Sequence, residues 1–297
     1  MSSYKYGITQ KIFASHLQRV ACLICMTLMA PAAIATEQLT LPAEPIIMEN
    51  FAKWTSKQNC TSIKNFDSPY ANRGTVEVVL ICQALEAGGY KTTLKLAELP
   101  NYTRSIVEVK KGKFPIAAES VWDTDSYRGG YFMTDPVIQD GEFQKGIYGL
   151  PESAVLKVKN LQELRPFVAV TPRNWVVDWK TVEDFKLNNL ARDVQTKENI
   201  FRLLGSKRVD FTLLEFSNSA DLMHEFTGVQ LKPVQGIKVT LKGARRFVVS
   251  QAYPGAPEIF AALQRGVKIL RANGTISRAF KESGFFNQQT QNWHSIN

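Results

Sequence analysis

Histidine is nearly missing from this chain, cysteine is sparse, and no apolar run is long enough to cross a bilayer. Three histidines and four cysteines occur in 297 residues. Past residue 35 only His224, His294, Cys60 and Cys82 remain, with no C-x-x-C pair, so neither a zinc cluster nor any other metal site is expected. The longest apolar run, VACLICMTLM from Val20 to Met29, is half the roughly 20 residues that a spanning helix needs. No run of basic residues exceeds two without a gap, so the formal charge of +9 is spread over the surface and leaves no nucleic-acid footprint. A mildly basic soluble protein without cofactor is what these absences allow.

The N-terminal stretch has a different composition. Lys5, Lys11 and Arg19 supply positive charge without any acid, the short apolar run follows, and Ala33-Ile34-Ala35 gives the small-x-small pattern of a cleavage site. Residues 1–35 therefore read as a signal peptide of an exported protein, with an uncleaved anchor as the alternative. Cys22 and Cys25 lack the small residues that precede a lipoprotein cysteine. Removing 35 residues leaves 262 and lowers the charge to +6, enough chain for one large or two ordinary domains. In an oxidising compartment Cys60 and Cys82 form a candidate disulfide, whose loop closure would stabilise by roughly 3 kcal/mol. The other reading makes Cys82 a plain buried helix residue among Val79, Leu80 and Leu85.

Helical and strand-like patterns alternate along the remainder. A strand is expected near 45–48, followed by a long polar loop over 51–75. Helices are expected over 76–87, from Tyr102 to Gly112, and at 160–164, 179–185, 197–205, 257–272 and 277–283. Strands are expected over 91–96, 115–118, 143–150, 167–171, 209–214 and 247–250, with an extended segment over 230–246. Such alternation indicates an α/β protein with mostly parallel pairing. The stretch from Tyr102 to Pro136 stands out. Its helix ends at Gly112, a short strand follows, and the next ten residues hold Glu119, Ser120, Trp122, Asp123, Asp125, Tyr127 and Arg128. Residues 197–216 repeat that grammar of helix, glycine, strand and acid, ending at Glu215. Loops beyond strand ends are where α/β proteins bind small ligands.

Several short motifs then fall into a familiar order. Tyr102-x-Arg104 with Gly112, Ser120 and Arg128 ahead of Thr134-Asp135-Pro136, Leu161–Leu164, Leu203–Asp210, Phe247–Ser250 and Leu263–Gly274 resemble the bacterial family 3 solute-binding proteins. These are the periplasmic components of amino-acid-type ABC transporters, and the resemblance covers about Tyr70 to Phe285. It implies a two-lobed type II periplasmic binding protein fold, each lobe a mixed, mostly parallel sheet flanked by helices, joined by two hinge segments. Residues 36–139 with 243–297 would form lobe 1, and 140–242 lobe 2. The expected function is capture of a small polar solute, such as an amino acid or related carboxylate, and its presentation to a permease in the periplasm by a monomer.

In that scheme Arg128 matches the arginine that grips a ligand carboxylate with paired charge-assisted bonds, and Glu215 stands where an acid takes the ligand ammonium. Tyr70, Tyr102 and Trp122 are candidate aromatic walls, with Arg104, Glu119 and Ser120 beside them. Two departures weaken the match. Lys113-Phe114-Pro115 replaces the family's usual acid after the glycine. Pro172-Arg173-Asn174-Trp175 replaces a small-residue turn whose backbone N–H groups hold the ligand, and proline has none to give. A standard α-amino acid is thus disfavoured against a smaller or more anionic ligand, or against a cleft filled in part by the protein itself. The competing readings are an enzyme on the same fold, of the cyclohexadienyl dehydratase type with Glu119 as its acid, and an orphan ligand sensor.

Overall fold

In the computed structural model the described residues are 37–124, 129–189 and 191–297. The expected signal peptide and Arg128 lie outside them. Residues from Glu37 to Asn297 form one compact unit. Among the described residues no helix is long and apolar enough to cross a membrane.

The chain opens with β1 (Glu37–Ala43), α1 (Pro45–Thr55), α2 (Arg73–Ala87), β2 (Thr92–Glu98) and α3 (Tyr102–Lys110). Next come β3 (Val121–Trp122), β4 (Tyr131–Ile138), β5 (Gln144–Gly149), α4 (Leu161–Leu164), α5 (Val176–Asp184), α6 (Lys197–Gly205) and β6 (Thr212–Leu214). It closes with β7 (His224–Phe226), β8 (Val229–Pro233), β9 (Ile237–Thr240), β10 (Arg245–Ser250), α7 (Ala256–Ala272), α8 (Thr275–Glu282) and β11 (His294–Ser295).

The first lobe is built on β1 and β2, paired in parallel from Glu37↔Thr92 to Ala43↔Glu98, and on a sheet in the order β3-β10-β4. Helix α2 runs through its middle, with Val76 to Leu85 buried without a break. It packs against α7 so closely that a Cβ on Gly88 would overlap the Ala262 carbonyl and one on Gly266 the Ala84 carbonyl. Cys60, in a short 3-10 turn, is joined to Cys82 of α2 by a disulfide. Gln83 reinforces that seam by donating to the carbonyls of Cys60 and Ile63 at 3.2 and 2.6 Å.

Two local readings change. The strand expected at 45–48 is the first turn of α1: Pro45 at its start pre-sets a helical φ, and Ile47, Phe51 and Trp54 bury one face. The strand expected at 115–118 is buried but makes a single bridge, Ile116 to Val249, and ladder pairing starts only at Val121.

Pairing also differs from the mostly parallel sheets expected. In the six-stranded sheet β5 runs antiparallel to β6, β8 and β9, while β10 runs antiparallel to β3 and β4. The reason is topological. β4–β5 carries the chain out of the first lobe and β9–β10 carries it back, so these neighbouring crossings must run in opposite directions. They are tied together where they cross by Gly243 N–H donating to Asp140 Oδ1 at 2.7 Å, and Ala244 N–H donates to Asp123 Oδ1, just past β3, at 3.1 Å. Parallel pairing survives at β1–β2, at β9–β11 and in the bridges Ala169↔Phe211 and Val170↔Arg192.

Candidate functional site

Between the lobes lies a cavity of about 190 Å³ whose walls are charged and aromatic. The first lobe contributes Glu44, Arg73, Tyr102, Glu119 and Trp122, and the second Lys145, Asn174, Trp175, Asp178 and Glu215. Val176 of α5 and, from the two crossings, Phe143 and Arg245 complete it.

Arg73 is the centre of the charge network. It is the first residue of α2, where Asn72 caps the helix by accepting from Thr75 N at 2.9 Å. Its guanidinium donates Nη1 to Glu77 Oε2 at 2.9 Å, Nη2 to Glu119 Oε1 at 2.8 Å and Nε to Glu215 Oε1 at 2.8 Å. Glu77 lies one helical turn on and is fully buried; Glu119 follows Ala118; Glu215 directly follows β6 in the other lobe. Burial works against the charge on Arg73, but the three carboxylates outweigh it and hold the group well above its ordinary value. Burial likewise pushes the Glu215 carboxyl up, and Arg73, Lys145 and Arg245 overcome it, leaving the net shift downward.

Arg245 is the second cation, and its surroundings are unlike those of Arg73. Only 4% of it is exposed. Its Nε donates to Ser120 Oγ at 2.9 Å and its Nη2 to the Ser120 carbonyl, while Ser120 Oγ donates onward to Glu77 Oε1 at 2.6 Å. Its Cζ stands 5.1, 5.4 and 5.5 Å from the rings of Trp122, Phe143 and Tyr102. Among the described residues no carboxylate lies within ion-pair distance of Arg245. Aromatic faces soften the cost of a buried cation without supplying a counter-charge. Lys145, by contrast, is paired with Asp178 at 2.5 Å and sits 5.0 Å from the Trp175 ring.

Glu44 is the unusual acid. Its Oε1 accepts from Tyr102 N at 2.9 Å, satisfying one of the open N–H groups at the start of α3. Burial and the neighbouring Glu119 nevertheless raise its pKa from 4.5 to about 7. Glu44, Arg73, Glu119, Lys145, Trp175 and Glu215 also line a second cavity of about 440 Å³, which adds Lys197, Phe216 and His224. Burial lowers the pKa of both Lys197 and His224. His224 Nε2 lies 2.8 Å from the Glu215 carbonyl oxygen.

The structure brings Glu215, Glu119, Tyr102, Trp122, Asn174 and Trp175 to the first cavity, with Ser120 directly behind the wall. Asn174 presents a buried Oδ1 that has no hydrogen-bond partner among the described residues. Three expected residues stand elsewhere. Tyr70 packs against the first-lobe core. Arg104 lies on the solvent face of α3, 56% exposed and paired with Glu108 at 3.1 Å, as the i,i+4 spacing favours. Arg173 is exposed, its guanidinium 4.5 Å from the Trp179 ring and its backbone N–H bonded to Asp193.

Residue patterns alone did not single out Arg73, Lys145, Asp178, Arg245 or Glu44. A signal existed for Arg73, an arginine at a helix start with Glu77 four residues on. Another existed for Arg245, at the head of an otherwise apolar strand.

No protein-family profile matches the sequence, and no curated protein matches it. Solved structures do. One is an arginine third transport system periplasmic binding protein from Legionella pneumophila, with a TM-score of 0.55, 15% identity, and cover of 84% of this chain and 100% of that one. Another is a probable amino-acid ABC transporter extracellular-binding protein from Bacillus subtilis, with a TM-score of 0.54, 13% identity, and cover of 82% and 96%. A third is an ancestral amino acid-binding protein described as a precursor of cyclohexadienyl dehydratase, with a TM-score of 0.53, 14% identity, and cover of 82% and 94%. At such identities the likeness is one of fold.

Proposed function

We propose that this chain, which has the two-lobed fold of the type II periplasmic binding proteins, is a receptor that captures a small polar solute between its lobes and hands it to a membrane permease. The observation that carries this reading is the cavity itself. It draws its walls from both lobes and, among the described residues, includes a buried arginine without a carboxylate partner and an unpartnered amide oxygen. A solute touching both walls stabilises the closed arrangement over an open one, which is the energetic basis of hinge closure. At about 190 Å³ the cavity is below the roughly 300–1,000 Å³ of drug-sized pockets, so the solute is small.

The hinge is assigned to residues 139–143 and 241–244, where the crossings lie side by side. The first lobe then comprises 37–139 and 243–286. The tail 287–297 belongs with 140–242, because β11 joins β9 and Trp293 packs with the second-lobe core. Export to an oxidising compartment is supported by the Cys60–Cys82 bridge.

The test is a thermal-shift screen of the protein against amino acids, polyamines, organic acids and sugars. A solute that binds only the folded state raises the midpoint, and small-angle scattering should show compaction with the same solute. A flat response across all four classes would overturn the receptor reading.

One observation favours a second reading, an enzyme on this fold. Glu44, with a pKa of about 7 at the cavity wall, is suited to move a proton near neutrality. Glu119, the acid suggested by sequence, already spends an oxygen on Arg73. Turnover of a stabilising solute, lost in Glu44→Gln, would establish the enzyme in place of the receptor.

A further inference from the structure

We propose that Arg73 is a tethered occupant of the cleft, a guanidinium supplied by the chain itself to a cation subsite made from both lobes, and that the solute is therefore a small organic anion held by Arg245. This deepens the receptor reading and rests on it for the solute, but not for Arg73.

A guanidinium has five N–H donors on three nitrogens. In Arg73 each nitrogen is committed to a different carboxylate, Glu77, Glu119 or Glu215, at 2.8–2.9 Å. Helix propensity, capping or core packing does not require three acids around the first residue of a helix. Two of them come from sequence positions 46 and 142 residues away. Among the described residues no three acidic groups are close enough together to hold a metal ion. The three carboxylates converge on a single guanidinium. Such a cradle would take a ligand cation readily, and here a side chain 13% exposed already fills it.

The two cavities, about 190 and 440 Å³, share Glu44, Arg73, Glu119, Lys145, Trp175 and Glu215 as lining, so the Arg73 cluster is part of the wall common to both. Shortening Arg73 is expected to widen the passage between the chambers and to expose the cradle.

Lys145 is paired with Asp178, and the three acids around Arg73 outnumber its single charge, whereas Arg245, 4% exposed, has neither a carboxylate nor any partner on Nη1 among the described residues. A buried cation without a counter-charge is costly, and a carboxylate that meets it recovers that cost through charge-assisted bonds. Trp122 and Phe143 beside it offer apolar faces to the rest of a small acid. A solute carrying its own ammonium or guanidinium finds the cation cradle already taken.

The test uses ethylguanidinium as a probe of the cradle and lactate, pyruvate and succinate as probes of Arg245, read by thermal midpoint. Arg73→Ala is expected to melt below the wild type. Ethylguanidinium should restore most of that loss, ethylammonium much less, and neither should raise the wild-type midpoint. Should Arg73→Ala not fold unaided, the reading becomes its refolding yield with ethylguanidinium against ethylammonium. An equal effect of ethylguanidinium on wild type and variant, or none on the variant, overturns the tethered-occupant assignment. For the solute, at least one of the acids should raise the wild-type midpoint, and Arg245→Gln should remove the response. Stabilisation by cationic or neutral solutes only, or an acid response untouched in Arg245→Gln, overturns the anion assignment while leaving the receptor standing. Failure of every solute class on the wild type overturns the receptor, and the anion assignment with it, while the rescue of Arg73→Ala still decides the fate of the cradle.

Discussion

At the scale of single residues, the chemistry of this protein turns on which charges are answered. Glu44 gives the most direct consequence. Its carboxyl is lifted from 4.5 to about 7 by burial and by Glu119, against the pull of the Tyr102 N–H, Arg73 and Lys197. Between those two pH values the folded protein keeps a proton that the unfolded chain has released, so folding stability must fall as pH rises through that window. Glu44→Gln removes the titration. Its thermal midpoint is expected to change less between about pH 5 and pH 7 than that of the wild type, as scanning calorimetry at a series of pH values would show. An unchanged slope would place the pH dependence elsewhere.

The same scale shows why half of the cavity was legible in the sequence. Glu119, Trp122, Asn174, Trp175 and Glu215 sit just past strand ends or in turns, where local grammar points at them. Arg73, Lys145 and Arg245 do not, because what makes them functional is a partner, or the want of one, far along the chain. Arg73 and Glu215 are 142 residues apart, and Arg245 and Ser120 are 125 apart. Arg104 and Arg173 looked equally suitable in sequence, and only the facing of their helix and turn directs them to solvent.

At the scale of elements, the buried helix α2 carries the first lobe. Its burial on almost every side blurs the amphipathic stripe, yet the run of Val, Leu and Ile bounded by Asn72 and Gly88 still marks it. α1 was lost to a strand reading because its start, Pro45-Ile46-Ile47, is rich in β-branched residues. The placement of a proline at the first helical position decided the outcome instead. Two expectations follow. Reduction of the Cys60–Cys82 bridge, or its replacement by serines, should lower stability by roughly 3 kcal/mol, measured as the denaturant midpoint with and without reductant. Gly266→Ala forces a methyl into the Ala84 backbone across the α2–α7 contact, and overpacking of this kind costs about 1–3 kcal/mol. Gly89→Ala offers the control, since nothing lies near its added Cβ and only its φ of +87° resists the change.

At the scale of the whole molecule, the ion pair between Arg73 and Glu215 joins the lobes without any solute. Glu215→Gln leaves Arg73 with two charged partners, both in the first lobe, so the lobes should part more readily. The radius of gyration of the solute-free protein from small-angle scattering is expected to rise. If it stays at the wild-type value, the bridge does not govern the opening. The alternation of helices and strands made the α/β class legible in the sequence, and the two-lobed fold came with the family resemblance. The antiparallel crossings were not, because strand direction there is set by a chain that leaves one lobe and returns to it.

The tail adds a mechanical consequence. After α8 the chain does not stop in the first lobe. Asn218 and Asn287 bond across the junction, to the Ser283 and Ser217 carbonyls, and Lys238 Nζ holds the carbonyls of Thr290 and Gln291. β11 then locks alongside β9. Two adjacent crossings alone would let one body swing about the line between them. With the proposed hinge, a third attachment placed off that line would act as a stay on a boom, limiting the arc of the swing by the slack in residues 283–293. The width to which such a mouth could gape would be set by residues 283–297, a stretch that lines the second cavity through Ser283 and Phe285 and reaches the first only through the packing of Phe285 on Phe143.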